Sequence, residues 1–203
     1  MPSPRAILFI DGENLVFRYQ AMLAEGKTPS SKVIHIPDIF VWHPQLTEWC
    51  LLDLLRVYFY GSVVGDDRKL AATKAEIAKT KFNYTYEFGE APDGAAQIVP
   101  IIFKKHAKTH KTRQVDIQIT IDMMRFAQIP SIGVLYLVSG DGDYLPLIQE
   151  TMRLDNEVYL ASLSSGLSPD LRFSVDDFLD LDPIFFPPPK LPKKGPMHLK
   201  PMA

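Results

Sequence analysis

Ile7-Leu8-Phe9-Ile10-Asp11-Gly12-Glu13-Asn14 and Leu137-Val138-Ser139-Gly140-Asp141-Gly142-Asp143-Tyr144 decide the fold, because each is an apolar run that stops at a carboxylate. A strand buried on both faces of a parallel sheet reads as a continuous apolar run, and the crevice at the carboxyl ends of such strands is where ligands bind. Both acids then sit on one rim. Carboxylates gathered without a counter-charge are costly, and hard oxygen donors favour Mg2+ or Mn2+ over zinc. The two stretches therefore predict a cation site at the edge of a parallel sheet.

Working outward from the first stretch, Leu15, Val16, Tyr19, Met22 and Leu23 recur at helical spacing, predicting a helix over 13–24 closed by Glu25-Gly26. Residues 27–44, with Pro29, Pro37 and Pro44, read as a surface excursion that guards the crevice. Leu46, Trp49, Leu52 and Leu55 predict a helix over 44–55, before the aromatic, β-branched strand 56–61. Asp66-Asp67 opens a helix to Lys79 with acids at the positive end of its dipole. Strict alternation over 82–88 and an extended segment over 96–103 predict a hairpin at the sheet edge, turning at Ala91-Pro92-Asp93-Gly94.

Residues 104–113 form the most basic stretch of the chain and read as a solvated loop. Over 115–127 two templates compete: Val115, Ile117, Ile119 and Ile121 alternate like a strand, whereas Met123, Met124, Phe126 and Ala127 suit a helix. A dozen residues between parallel strands must supply a crossover, which predicts a helix. Beyond it come a strand over 132–138, a helix over 144–153, a strand over 157–161, a turn-rich loop and a short acidic helix over 175–181. The expected architecture is a three-layer α/β sandwich with a mainly parallel central sheet, Rossmann-like in plan. It occupies residues 1–183, and 184–203 form a proline-rich tail expected to be disordered or polyproline-like.

Composition narrows the function classes. A net charge of -2 excludes a uniformly basic nucleic-acid coat, although a neutral sum can hide a basic patch beside an acidic site. Cys50 is the single cysteine and has no intrachain disulfide partner, which points to a reducing cytoplasm. No apolar stretch has the length of a membrane span, and neither anchor nor signal peptide is expected. His106 and His110 lie in a segment without helical periodicity, which argues against zinc. An EF-hand starting at Asp141 fails because Met152 stands where a bidentate Glu is needed.

Asp11-Gly12-Glu13-Asn14 after an apolar strand resembles the opening D-G-x-N of NYN domains in the PIN-like nuclease superfamily. Ser139-Gly140-Asp141-Gly142-Asp143-Tyr144 resembles that family's S-G-D-x-D-[FY], and Val115-Asp116-Ile117 with Asp122 its middle block. The resemblance covers roughly residues 5–181; Thr112-Arg113-Gln114 stands where the family usually has Lys-Gly, leaving Lys111 or Arg113 as the substitute phosphate contact. It implies a PIN-like fold and Mg2+- or Mn2+-dependent hydrolysis of single-stranded or structured RNA. Asp11, Asp116, Asp141 and Asp143 would hold the metal, with no protein nucleophile. Asn14 and Asp122 would support that shell, and Ser139 with Lys104, Lys105, Lys108, Lys111 and Arg113 would meet phosphate.

Plainer roles stand beside these. Asp11 and Asp141 can each simply cap the following helix, and Asp116 can be a first-turn dipole partner. Asp122, six residues on, falls about 120° around a helix from Asp116 and cannot face the same ion squarely. Trp42, Tyr60 and Tyr144 can stack on bases or merely pack. The alternative function is a catalytically weak PIN-like module that binds RNA or a protein. A small-molecule phosphohydrolase would need the D-x-D that Asp11-Gly12-Glu13 lacks. Self-association into a homo-oligomer is left open.

Overall fold

β1 (Arg5–Asp11) buries every residue after Arg5, which only a central strand can do. In the computed structural model, which describes residues 5–48, 52–84, 94–105 and 113–188, it leads directly into α1 (Gly12–Ala24). A small antiparallel pair follows, β2 (Ile34–Ile36) with β3 (Phe40–Trp42), then the single turn α2 (Gln45–Glu48). β4 (Asp53–Val64) and α3 (Asp67–Ala78) come next, then the ribbon of β5 (Lys81–Tyr84) with β6 (Gly94–Gln97), and β7 (Val99–Lys105). α4 (Gln114–Ala127), β8 (Val134–Val138), a 3-10 turn at Gly142–Tyr144, α5 (Leu145–Arg153) and β9 (Glu157–Ser162) make the second half. α6 (Pro169–Arg172), β10 (Asp177–Asp180) and α7 (Asp182–Phe185) close the described chain.

Six strands form one sheet in the order β10-β9-β8-β1-β4-β7, with its neighbours paired in parallel. Its two faces carry separate cores. Leu8 and Ile10 point to one with Leu15, Tyr19 and Met22 of α1, while Ile7 and Phe9 point to the other with Ile119 and Met123 of α4. The expected three-layer α/β sandwich with a parallel central sheet is what the chain forms.

Several local expectations change. The helix predicted over 44–55 is limited to α2 among described residues, since 49–51 lie outside them and Asp53 already pairs with Arg5. Leu54 faces one core and Leu55 packs against the other, a two-sided burial that a strand provides and a helix face does not. The same reason converts the predicted acidic helix over 175–181 into β10: Phe178 joins one core and Leu179 the other, and Asp177 and Asp180 stay exposed on an edge strand. The expected hairpin exists, but its second arm breaks at Ile98; β6 pairs with β5, and β7 leaves to pair with β4 at the sheet edge. Residues 85–93, with the rest of the predicted alternation, lie outside the described residues.

The 27–44 excursion is less peripheral than expected, because Phe40, Val41 and Trp42 are fully buried and Trp42 is core rather than a stacking platform. At the other end, Phe185 is buried and Phe186 stacks on Tyr19 at 5.2 Å. Residues 189–203 lie outside the described residues. Among the described residues no helix is long and apolar enough to cross a membrane.

Candidate functional site

The connections from β1 and β8, neighbours in the sheet, run to opposite faces: α1 covers one core and α5 the other. A crevice opens at such a reversal. Asp11 ends β1 on one side of it, and Ser139, Gly140 and Asp141 follow β8 on the other. Gly12 lets the chain turn into α1 there, because a Cβ would fall 2.2 Å from the Phe59 ring and 2.5 Å from the Tyr60 carbonyl. Gly140 is similarly confined, with Ser162 Oγ 2.8 Å from where a Cβ would stand.

Asp11 is the centre of the polar network. Its carboxylate accepts from the Asn14 amide and from Ser139 Oγ, both at 3.0 Å. Ser139 Oγ also accepts from the Asp141 amide at 3.2 Å, and Asn14 Oδ1 accepts from the Gly140 amide at 3.2 Å. β1 and β8 are thus laced together across the crevice by side chains. Burial pushes the Asp11 carboxyl up to about 7, and the like charges of Asp116 and Glu13 push the same way, against the two hydrogen bonds that favour the anion.

Asp116 lies in the first turn of α4, half-buried. Burial also raises its carboxyl above the ordinary range, as do Asp141, Glu13 and Asp143, while the Tyr144 hydroxyl, donating to Oδ1 at 3.3 Å, opposes them. Asp141 caps the 3-10 turn by accepting from the exposed Asp143's amide at 3.0 Å. Asp11, Glu13, Asp116, Asp141 and Asp143 therefore act on one another electrostatically around the crevice. Capping and mutual repulsion coexist here: Asp11 and Asp141 do both.

Other residues named from sequence land differently. Asp122 belongs to a node of its own, accepting from Tyr60 Oη and Gln118 Nε2 at 3.0 Å each and from Arg125 Nη1 at 3.4 Å. It is not among the charges that raise Asp11 or Asp116. Ser139 Oγ donates to Asp11 and Asn14 Oδ1 accepts from Gly140, so that hydroxyl and that oxygen are committed within the protein. Lys105 pairs with Glu13 at 2.5 Å and Lys104 with Asp67 at 2.8 Å, both at the end of β7 rather than in a loop. Arg113 is exposed at the start of α4, while Lys108 and Lys111 lie outside the described residues.

Two members of this arrangement take roles that the sequence does not state. Glu13, bonded by Ser62 Oγ and Lys105, has no role of its own in the sequence motif, and only its position across from Asp116 brings it into the ring. Tyr144 is buried and turns its hydroxyl to Asp116, a contact between two elements that no local pattern announces.

The donor set is entirely oxygen, and Asp11 and Asp116 are raised by burial first and by neighbouring carboxylates second, which is the chemistry a hard divalent cation relieves. Among the described residues no three His, Cys, Asp or Glu side chains are gathered closely enough to hold an ion as they stand. The residues fit such a cation in charge and donor type.

A parallel three-layer fold with acids at the central reversal is the plan of the PIN-like nuclease superfamily. The NYN domain profile matches residues 5–182, and the chain belongs to the NYN domain family, a nuclease-like family whose nucleases are generally dependent on divalent metal. The fold is also similar to a crystal structure of a protein of unknown function from Vibrio parahaemolyticus. The TM-score is 0.58 at 16% identity, with 90% of this chain and 96% of that one covered. No curated protein matches the chain.

Proposed function

We propose that the chain hydrolyses RNA phosphodiester bonds with a divalent cation at the β1/β8 crevice. The observation that supports this most is the Asp11 carboxyl, 3% exposed at the fold's reversal point and raised to about 7 amid other acids. A capping aspartate alone has no need of such company. Asp11, Asp116, Asp141 and Asp143 would hold Mg2+ or Mn2+, which when bound supplies an acidified water and neutralises charge developing on phosphate. Ser139 and the Asn14 amide fix the Asp11 carboxylate, and the Tyr144 hydroxyl fixes Asp116. Lys105 and Arg113 flank the acids with positive charge suited to a phosphate backbone.

Titrating Mn2+ against cleavage of a labelled single-stranded RNA tests this. Chelator should abolish cleavage and Mn2+ restore it, and Asp141→Asn should lower it by at least ~100-fold and remove the Mn2+-induced rise in Tm. Wild-type cleavage by Asp141→Asn, or full activity in chelator, overturns the reading. One observation favours a binding module instead, namely that among the described residues no three acids converge as they stand. RNA retention without cleavage at saturating Mn2+ would establish that alternative.

A further inference from the structure

A groove of about 460 Å3 runs beside the acidic crevice, between α1 and the turn at residues 37–39, and opens along the last residues of β4. Phe17 lines it and is 65% exposed, an aromatic ring left in solvent on a helix whose Leu15, Val16 and Tyr19 are buried. Lys69 and Lys105 line the same groove, and Glu13 belongs both to it and to the acid ring. The far wall is held in place before any ligand arrives. Gln20 donates from Nε2 to Asp38 Oδ1 at 3.1 Å and accepts from the Asp38 amide at 2.8 Å, fixing Asp38 at a φ of 61°. That is a left-handed conformation which a non-glycine residue keeps only when its surroundings enforce it.

We propose that this groove is a nucleotide subsite of a single-stranded polynucleotide, with Phe17 stacking on the base next to the scissile phosphate. This rests on the RNA reading of the neighbouring site. An exposed aromatic flanked by cations is what a strand with π-faced bases and an anionic backbone requires. The volume lies within the roughly 300–1,000 Å3 range of small-ligand sites and suits about one nucleotide. The Arg18 guanidinium, 5.3 Å from the Phe17 ring centroid, steadies that ring. Lys105 spends one donor on Glu13 and retains two, so it can bridge the acid ring and a phosphate oxygen, while Lys69 meets the next phosphate.

The test is binding of fluorescein-labelled hexauridylate by the full chain in chelator, where cleavage does not interfere. Phe17→Ala should weaken binding roughly tenfold. Phe17→Trp should keep the affinity and show indole quenching on saturation, measured against the parent's own tryptophans. Lys69→Ala should lower the slope of log K against log salt by about 0.7. Phe17 is exposed, and rescue by Trp separates lost stacking from lost folding. Affinity of Phe17→Ala within twofold of the parent, or absence of quenching in Phe17→Trp, overturns the subsite and leaves the metal-site reading standing. Failure of the parent to bind in chelator also overturns the subsite, whereas the RNA reading itself falls only if Mn2+ supports no cleavage.

Discussion

Two aspartates stand at or just past the ends of strands in one sheet, and their surroundings drive them in opposite directions. Asp182, after β10, is raised by partial burial, but the Ser164 amide and hydroxyl and Lys27 outweigh this and hold its carboxyl below the ordinary range. Asp11, the last residue of β1, receives two hydrogen bonds and no ion pair among the contacts described, and its neighbours Asp116 and Glu13 repel it. One carboxylate is equipped to stabilise the fold. The other is kept at the expense of stability, which is how residues retained for chemistry commonly differ from residues retained for structure.

The contrast is tested most severely at Asp11. Asp11→Asn should reduce metal-dependent RNA cleavage by about 100-fold or more. Its folded carboxyl near 7 lies above the unfolded 3.8, so the unfolded state releases its proton first and wild-type stability in chelator should fall as pH rises from about 4 to 7. Asn has no proton to lose. The variant should therefore gain on wild type with rising pH, by on the order of 1–4 kcal/mol at pH 8 and almost nothing at pH 4. Denaturant melts at pH 4, 6 and 8 measure this, and parallel pH profiles for the two proteins would remove Asp11 from the strained class.

Asp182→Ala should behave in the reverse way. Loss of the Ser164 and Lys27 contacts should cost on the order of 1–2 kcal/mol at pH 7. Because the folded pKa is depressed, that contribution is present above the unfolded value and lost as pH falls through the folded one. Wild type and variant should therefore converge in acid, with cleavage at pH 7 unchanged per folded molecule. A loss of cleavage beyond the loss of folded protein would mean that the two ends of the sheet are coupled.

What the sequence disclosed follows the same division. β1 and β8 were legible because burial on both faces leaves an unbroken apolar run ending at an acid. α4 was harder, because Ile117 and Ile121 are 55% and 40% exposed, and it is these two that imitate strand alternation; a crossover length settled what periodicity did not. β10 and the start of β4 read as helix in sequence because Leu46, Trp49, Leu52 and Leu55, three apart, and Val175, Phe178, Leu179 and Leu181, one to three apart, satisfy a helical period over a few residues, and only the second core decides. Glu13, Tyr144 and the pairing of Lys105 depend on elements far apart in the chain meeting at one rim. Charge type was readable from composition, but charge partnership was not.

The weakest effect is expected at Lys104, which discriminates between a basic strip that binds RNA and one already engaged. Its ammonium lies 2.8 Å from Asp67, which is 88% exposed and whose carboxyl this lysine holds below the ordinary range. An ion pair so open to solvent contributes little to stability, so Lys104→Ala should leave Tm unchanged within error. An ammonium that must share its charge with Asp67 releases less than a full counterion's worth on meeting phosphate. The salt-dependence slope of RNA binding should accordingly fall by less than the ~0.7 expected for an outright single-strand contact. Asp67→Ala should have the opposite sign and tighten RNA binding slightly, since it leaves Lys104 to the backbone alone. If Lys104→Ala removes the whole increment and Asp67→Ala changes nothing, the ion pair does not restrain Lys104, and the end of β7 is an interface in its own right.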